Sequence, residues 1–414
     1  MPSSRPYSSV FRSRYLAGQM TLGLWLMCWT APTALEAQDW VDKFQFHGFM
    51  TQAWAKASYT DGGPTPNEVI LGISEDGTTD YRFLALQFRY EISGDDLLVV
   101  QLSSRSLGDS PINKIEDDVE LDWAFYQRRL GDYTALKIGR VQIPLGIFNE
   151  VRDVGTILPF YRPPYSLYRE GSFTSETVDG LVLHHTFFGE SDWTLDADAF
   201  YGEYELVEQA VFVPEDPPAI AVAKDVVGVQ LWLNTPFSGF RVGFGGQKRD
   251  VSEGQEGIFR PIGGETEFED WYVSMELPGQ SFIFRAEHRD LTGNLESPLF
   301  GFASKATDRT SWLQFGYYFT EKIHAFAQIE RSRVTQTSVA FTRDAHQDAR
   351  DDLAVSLNYR FSSNVVAKVE YHWLDEEDLG FVPVFFPDRP PLLEPFGIPH
   401  ENGSYSIVSL AVSF

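Results

Sequence analysis

The segment Tyr405-Ser-Ile-Val-Ser-Leu-Ala-Val-Ser-Phe414 alternates apolar with small or polar side chains and closes on an aromatic. A period of two leaves little choice of backbone, because only in a strand do successive side chains point to opposite faces. Val408, Leu410, Val412 and Phe414 then share one face, and Ile407, Ser409, Ala411 and Ser413 the other. A strand needs such a division when lipid covers one side and a polar interior the other.

The same period recurs along the chain. Leu84, Leu86 and Phe88 oppose Gln87, Arg89 and Glu91, and Leu98, Val100 and Leu102 oppose Gln101, Ser103 and Arg105. Leu121, Trp123 and Phe125 are set against Asp122, Tyr126 and Arg128, and Leu136 and Ile138 against Lys137. The clearest pair is Leu353 to Phe361 and Val365 to Trp373, joined by Ser362-Ser363-Asn364, with Ser356, Asn358, Arg360, Lys368, Glu370 and His372 facing inward. About sixteen such segments fit residues 44 to 414, which predicts an all-β, transmembrane antiparallel β-barrel. A mean hydropathy of -0.22 suits a barrel, whose apolar residues are hidden in alternation, and not a bundle of membrane helices.

The N-terminus predicts export. Arg5, Arg12 and Arg14 precede an apolar stretch from Tyr15 to Trp29, and Ala34-Leu-Glu-Ala37 offers small residues for cleavage after Ala37. The stretch is shorter than the ~20 residues of a helical span. Residues 1–37 read as a signal peptide and 38–414 as the barrel. The one cysteine, Cys28, leaves with the signal, so the mature chain has neither disulfides nor thiolate metal sites. A net charge of -26 argues against nucleic acid as a partner.

Connectors alternate between short turns, such as Leu130-Gly-Asp132, Pro278-Gly-Gln280 and Thr320-Glu-Lys322, and long polar segments such as Thr292 to Arg309, Val334 to Asp351 and Leu374 to Ser404. Barrels of bacterial outer membranes keep short turns in the periplasm and long loops outside. The acidic run Asp375-Glu-Glu-Asp378 and the Pro-rich Phe386 to Pro391 fall in the last long segment and read as solvated loop. Aromatics gather at strand ends, as in Tyr317-Tyr-Phe319 and Tyr371-His-Trp373, where interfacial girdles lie.

Gly139 to Tyr165 breaks the alternation: Pro144, Pro159, Pro163 and Pro164 cannot donate to a ladder, and Arg140, Arg152 and Arg162 stand among Glu150 and Asp153. By its position and by the passage Leu136-Lys-Ile-Gly-Arg140 with Pro144-Leu-Gly146, this segment resembles the folded-in third loop of Gram-negative outer-membrane porins, in the general and phosphate-selective superfamily. The resemblance implies an inward-folded constriction loop, a water-filled channel for passive diffusion of small hydrophilic solutes and ions, a homotrimer, and contact with outer-membrane lipid and lipopolysaccharide. It implies a pore lining of Arg89, Arg105, Arg128, Lys137, Arg140, Glu150, Arg152, Asp153, Arg285, Glu287, Arg289 and Arg360. Only nine of the 33 basic residues are lysine, a departure from the lysine-rich site of the phosphate-selective relatives.

Nine inward bases face nine inward acids across the expected strands, a balance that suits a general diffusion pore. None of the eight histidines sits in a catalytic pattern. His184 and His185, as strand neighbours, point to opposite faces and cannot chelate one metal. The sequence therefore predicts no enzyme, no cofactor and no metal. Two other classes stay open: a substrate-specific, anion- or phosphate-like porin, with Phe160-Tyr161 and Tyr165 as an aromatic slide, and a non-conducting adhesin or structural barrel plugged by paired charge.

Overall fold

The computed structural model describes residues 43–414 apart from 60–70, 111–112, 114–118, 169–175, 208–219, 238, 253–264, 298–301, 339–346, 378, 387–388 and 398–400. Residues Phe46–Phe414 make one compact unit, and the unit Met1–Gln45, with the expected signal peptide, lies almost wholly outside the described residues.

The chain opens with β1 (Phe44–Ser58), β2 (Thr78–Glu91), β3 (Asp96–Leu107) and β4 (Glu120–Gly131). Then come β5 (Thr134–Gln142), β6 (Thr177–Phe187), β7 (Thr194–Val207), β8 (Ile220–Asn234) and β9 (Arg241–Ser252). They are followed by β10 (Glu265–Pro278), β11 (Phe282–Ser297), β12 (Phe302–Tyr318), β13 (Ile323–Ser338) and β14 (Gln347–Ser362). The last are β15 (Val365–Glu377), β16 (Leu379–Phe386), β17 (Arg389–Gly397) and β18 (Glu401–Ser413).

All but β16 and β17 join one closed barrel of sixteen strands, each beside its neighbour in sequence, with β15 pairing β18 across the inserted hairpin. The seam is made by β1 against β18, from Phe49 opposite Ser413 to Ser58 opposite Ser404. Gly48 and Phe414 exchange two backbone hydrogen bonds, at 2.9 and 3.0 Å. Closure removes the unpaired edge that would be intolerable in hydrocarbon.

Outward residues form the belt that the alternation predicts. Leu313, Phe315, Ile329, Leu353, Leu357 and Val369, on neighbouring strands, are each 46 to 55 % exposed. Apolar side chains exposed side by side on neighbouring strands are what the lipid-facing side of a membrane barrel presents. The opposite parity is buried: Glu330, Asp352, Lys368 and Glu370 lie on the inner face and are almost inaccessible.

The structure departs from the expected elements in two places. The strands run past the end of their alternation, so that β11 continues to Ser297 and β12 begins at Phe302, inside what reads as the connector Thr292 to Arg309. Above the lipid no face has to be apolar, so pairing persists while the period fades. The segment Leu374 to Ser404 holds the β16–β17 hairpin, a separate two-stranded sheet, instead of an irregular loop.

Candidate functional site: the β5–β6 segment against the inner wall

The segment between β5 and β6 is kept from forming a strand by its prolines and by Gly146, whose φ of +69° favours glycine. It makes a short 3₁₀ turn at Asn149–Val151 and, after Pro163-Pro164, a single helical turn, α1 (Tyr165–Tyr168), whose Tyr168 N–H donates to the Pro164 carbonyl at 3.0 Å. Its free amides and carbonyls find partners on the inner face of distant strands.

Three wall carboxylates accept its amides. Glu287 on β11 receives the Ile147 N–H at 2.8 Å, and Glu370 on β15 that of Tyr161 at 2.9 Å. Glu330 on β13 receives two, Tyr165 at 3.1 Å and Ser166 at 2.8 Å. Wall donors meet its carbonyls in turn. Lys368 Nζ donates to Phe160 at 2.7 Å, Arg289 to Leu167 at 3.2 Å, and Ser356 and Asn358 to Pro159 at 2.8 and 2.9 Å. Hydrogen bonds to charged groups are the stronger kind, at roughly 1.5–3 kcal/mol each.

Apolar contacts extend this hold to both sides of the barrel. Phe148 stacks on Trp312 of β12 with ring centroids 5.6 Å apart, and Leu145, Leu158 and Leu167 join a cluster with Trp123, Phe125, Phe200 and Tyr272. Tyr161 and Tyr165 pack instead with Ala53, Ala55 and Ala57 of β1 and with Tyr405 and Ile407 of β18. A Cβ on Gly155 would come within 2.2 Å of the Thr51 hydroxyl, which explains the small side chains along the inner face of β1.

Charge is concentrated where the segment approaches β3. Arg105 reaches Asp153 and Glu176, each at 3.4 Å, and Arg152 meets Glu176 at 2.9 Å while donating to the Tyr168 carbonyl at 2.7 Å. Asp122, bonded to Gln101 at 2.9 Å, brings a carboxylate oxygen within 4.8 Å of Asp153 and Glu176. Two guanidiniums thus face three carboxylates. Burial, then Glu176 and Asp122, hold the Asp153 carboxyl well above its usual range against the pull of Arg105 and Arg152. Beside this cluster lies a cleft of about 20 Å³ between Thr51 and Arg105 on the wall and Arg152, Asp153, Tyr161 and Arg162 on the segment. That is space for about one water.

Of the residues expected to line a pore, Arg105, Arg152 and Asp153 come together here. Lys137 and Glu150 approach each other at 3.7 Å, with Lys137 over the Phe125 ring. Arg285 binds Glu276 at 2.6 Å and lies over the Phe148 ring, Glu287 and Arg289 hold the segment, and Arg360 donates to the Thr156 carbonyl at 3.4 Å. Arg89 shares the inward parity but stands at the short-turn end, 3.6 Å from Glu91.

Arg128 and Arg140 are corrections. A bulge opposite Gln101 and Leu102 leaves Asp122 unpaired in the β3–β4 ladder and turns Trp123 and Phe125 inward, so Arg128 emerges outside beside Asp96 at 2.9 Å. Arg140 pairs across β4 with Ala124, on the outward parity of Ile138, and forks onto Asp179 with two bonds of 2.8 Å. The inward parity of Glu330, Glu370 and Lys368 is legible from the alternation. Their grip on the segment is not, and nothing in the sequence singles out Glu176.

No family model and no curated protein matches the chain. Solved structures do. OmpT of Vibrio cholerae, an outer-membrane protein also solved in a trimer form, superposes with a TM-score of 0.53 at 11 % identity, over 90 % of this chain and 97 % of its own. The fold is that of the outer-membrane barrels. The outer membrane channel DcaP of Acinetobacter baumannii and Salmonella typhi OmpF each reach a TM-score of 0.50, at 9 and 12 % identity, over 90 % of this barrel and 97 % of theirs. At identities this low the likeness is one of fold alone.

Proposed function

We propose that the mature protein is a porin-like channel of a Gram-negative outer membrane, exported by residues 1–37 and cleaved after Ala37. In this reading small hydrophilic solutes and ions diffuse through it passively, and the β5–β6 segment acts as the constriction. The observation that carries it is the three-point clamp of Glu287, Glu330 and Glu370 on that segment's amides. A polypeptide stretched across a barrel and fixed by buried polar wall groups sets a size limit without any cofactor. Below it, toward the short turns, Lys137, Arg241, Glu276 and Arg285 remain partly accessible with both signs of charge interleaved, which suits a weakly selective vestibule. The reading involves no catalytic chemistry, and nothing in this wall favours phosphate over other solutes. A trimer, as in the solved outer-membrane neighbour, is part of the proposal, and cross-linking of the protein in its native membrane tests it.

One observation favours a second reading, a barrel closed to conduction. The inner wall at the height of the segment is covered, with Gln314, Glu330, Lys368 and Glu370 each at most 2 % exposed, and the segment packs against both β1 and β12. Single-channel recording of the refolded mature chain under a salt gradient decides between them. Discrete steps support the channel, and their reversal potential reports the controlling charge. Tightly inserted, silent barrels support the plugged form.

A further inference from the structure

The carboxylates of Asp122, Asp153 and Glu176 come from three separate pieces of chain: strand β4, the β5–β6 segment and the approach to β6. Each offers one oxygen that lies within 4.8 Å of those of the other two. Neither the passage of solutes nor the clamp of Glu287, Glu330 and Glu370 uses them. Like charges so close repel, and Arg105 and Arg152 together leave one negative charge uncompensated.

The arginines do not use up the cluster. Arg105 reaches Asp153 through Oδ1 and Glu176 through Oε1, at 3.4 Å each, and Arg152 also reaches Glu176 through Oε1, at 2.9 Å. Both guanidiniums have other holds: Arg105 lies over the Phe83 ring at 5.1 Å, and Arg152 donates to the Tyr168 carbonyl at 2.7 Å and to Asn149 at 3.4 Å. Asp122 forms no ion pair among the described residues, and its Oδ2 takes the Gln101 amide at 2.9 Å. The bulge in β4 is what turns this carboxylate inward beside Gln101.

Asp153 Oδ2 is the atom that calls for a ligand. Asp153 is only 7 % exposed, and its Oδ2 is buried without any donor. The carboxyl faces Glu176 and Asp122, whose charges act on it more strongly than those of either arginine. A buried charged acceptor with no partner is costly, and a bound cation removes the cost.

We infer that Asp122, Asp153 and Glu176 bind one calcium ion, which ties the root of the β5–β6 segment to β4 and to the start of β6. All three ligands are hard, anionic oxygens, the set that calcium and magnesium take. Calcium suits it better, because it accepts about six to eight oxygens in an irregular shell completed by water, whereas magnesium demands a near-ideal octahedron. The adjoining cleft of about 20 Å³, lined by Thr51 and Asp153, has room for one such water. With two guanidiniums close by, the ion is held as in the weaker calcium sites, at a dissociation constant on the order of 0.1–1 mM. The site does not depend on whether the barrel conducts.

The test is terbium luminescence on the mature protein, refolded in detergent, stripped with EDTA and dialysed. Terbium substitutes for calcium at oxygen sites, and the buried Trp123, next to Asp122, is the antenna that excites it. The expected result is tryptophan-sensitised emission that calcium displaces at concentrations about tenfold below those needed of magnesium. Asp153→Asn and Glu176→Gln should each weaken terbium binding by about tenfold or more, since affinity follows the number of charged ligands. Asp198→Asn, which removes a carboxylate paired with His184 at 2.8 Å, should leave it unchanged. Arg105→Gln should tighten binding by removing a competing charge, which provides a readout should the acid variants fail to fold. Absent emission, emission that no cluster variant moves, equal displacement by magnesium, or weakened binding in Arg105→Gln each overturns the inference.

Discussion

Glu330 on β13 accepts the Ser166 amide at 2.8 Å across the interior of the barrel, and its other oxygen takes the Tyr165 amide and the side chain of Gln328. A residue that the alternation merely places inward thus fixes the start of α1. Replacing it with alanine leaves two amides without partners, at roughly 1–3 kcal/mol each if they stay buried, so the segment should detach instead. Glu330→Ala is expected to raise single-channel conductance, or to open a silent barrel, and to make the β5–β6 segment sensitive to protease, with Glu330→Gln showing a smaller change. Unchanged conductance and protection would mean that Glu287 and Glu370 hold the segment without it.

The cluster around Asp153 predicts a pH dependence. Asp153 lies outside the spanning strands, its carboxyl is raised by burial and by Glu176 and Asp122, and in a detached segment it would return to the usual range. A raised acid binds its proton more tightly in the docked state, so docking is strengthened as pH falls and weakened as pH rises through the shifted value. Conductance should therefore decrease on acidification at pH values above the ordinary carboxyl pKa of ~3.9. Asp153→Asn should flatten the profile at its acidic level. A profile of the opposite slope would show that Arg105 and Arg152 dominate.

Gly146 sits at a φ of +69°, and a Cβ there would fall 2.3 Å from the Tyr168 hydroxyl and 2.9 Å from Glu287. Both the backbone and the Glu287 anchor then object to any side chain. Gly146→Ala is expected to weaken docking by about 1–3 kcal/mol, read as faster proteolysis of the segment with the barrel itself still resistant to heat. Equal loss of barrel stability would place the strain in the wall.

How much of this was legible depends on the range of the determining forces. In the middle of β14 the parity follows from the residues themselves, because lipid on one side and a polar wall on the other act position by position: Leu353, Val355 and Leu357 outward, Ser356 and Asn358 inward. In β4 the same reading fails at one point. Trp123 and Phe125 are as apolar as any lipid-facing pair, but Leu145, Phe148 and Leu158 give them an apolar interior to join, and only the bulge at Asp122 discloses the switch. Such a bulge leaves no trace in composition. The contacts of Glu370 with Tyr161 and of Lys368 with Phe160 span more than two hundred residues and exist only once the barrel has closed.

That bulge yields the sharpest test of the wall. With Asp122 looped out, Tyr126 and Arg128 face outward and Trp123, Phe125 and Gln127 inward, whereas an unbroken alternation through Leu121 would reverse them. Single cysteines at 126 and 127 separate the two, since the described residues hold no other. In proteoliposomes Tyr126→Cys should react with a bilayer-soluble maleimide and be shielded from a charged one, and Gln127→Cys should do the opposite. Deleting Asp122 should remove the bulge and leave Trp123 opposite Gln101 and Leu121 opposite Leu102, so both labelling patterns should be kept and Trp123 should stay in its cluster. If both cysteines label alike in the full-length chain, β4 has no fixed register and the position of Arg128 outside the barrel falls with it.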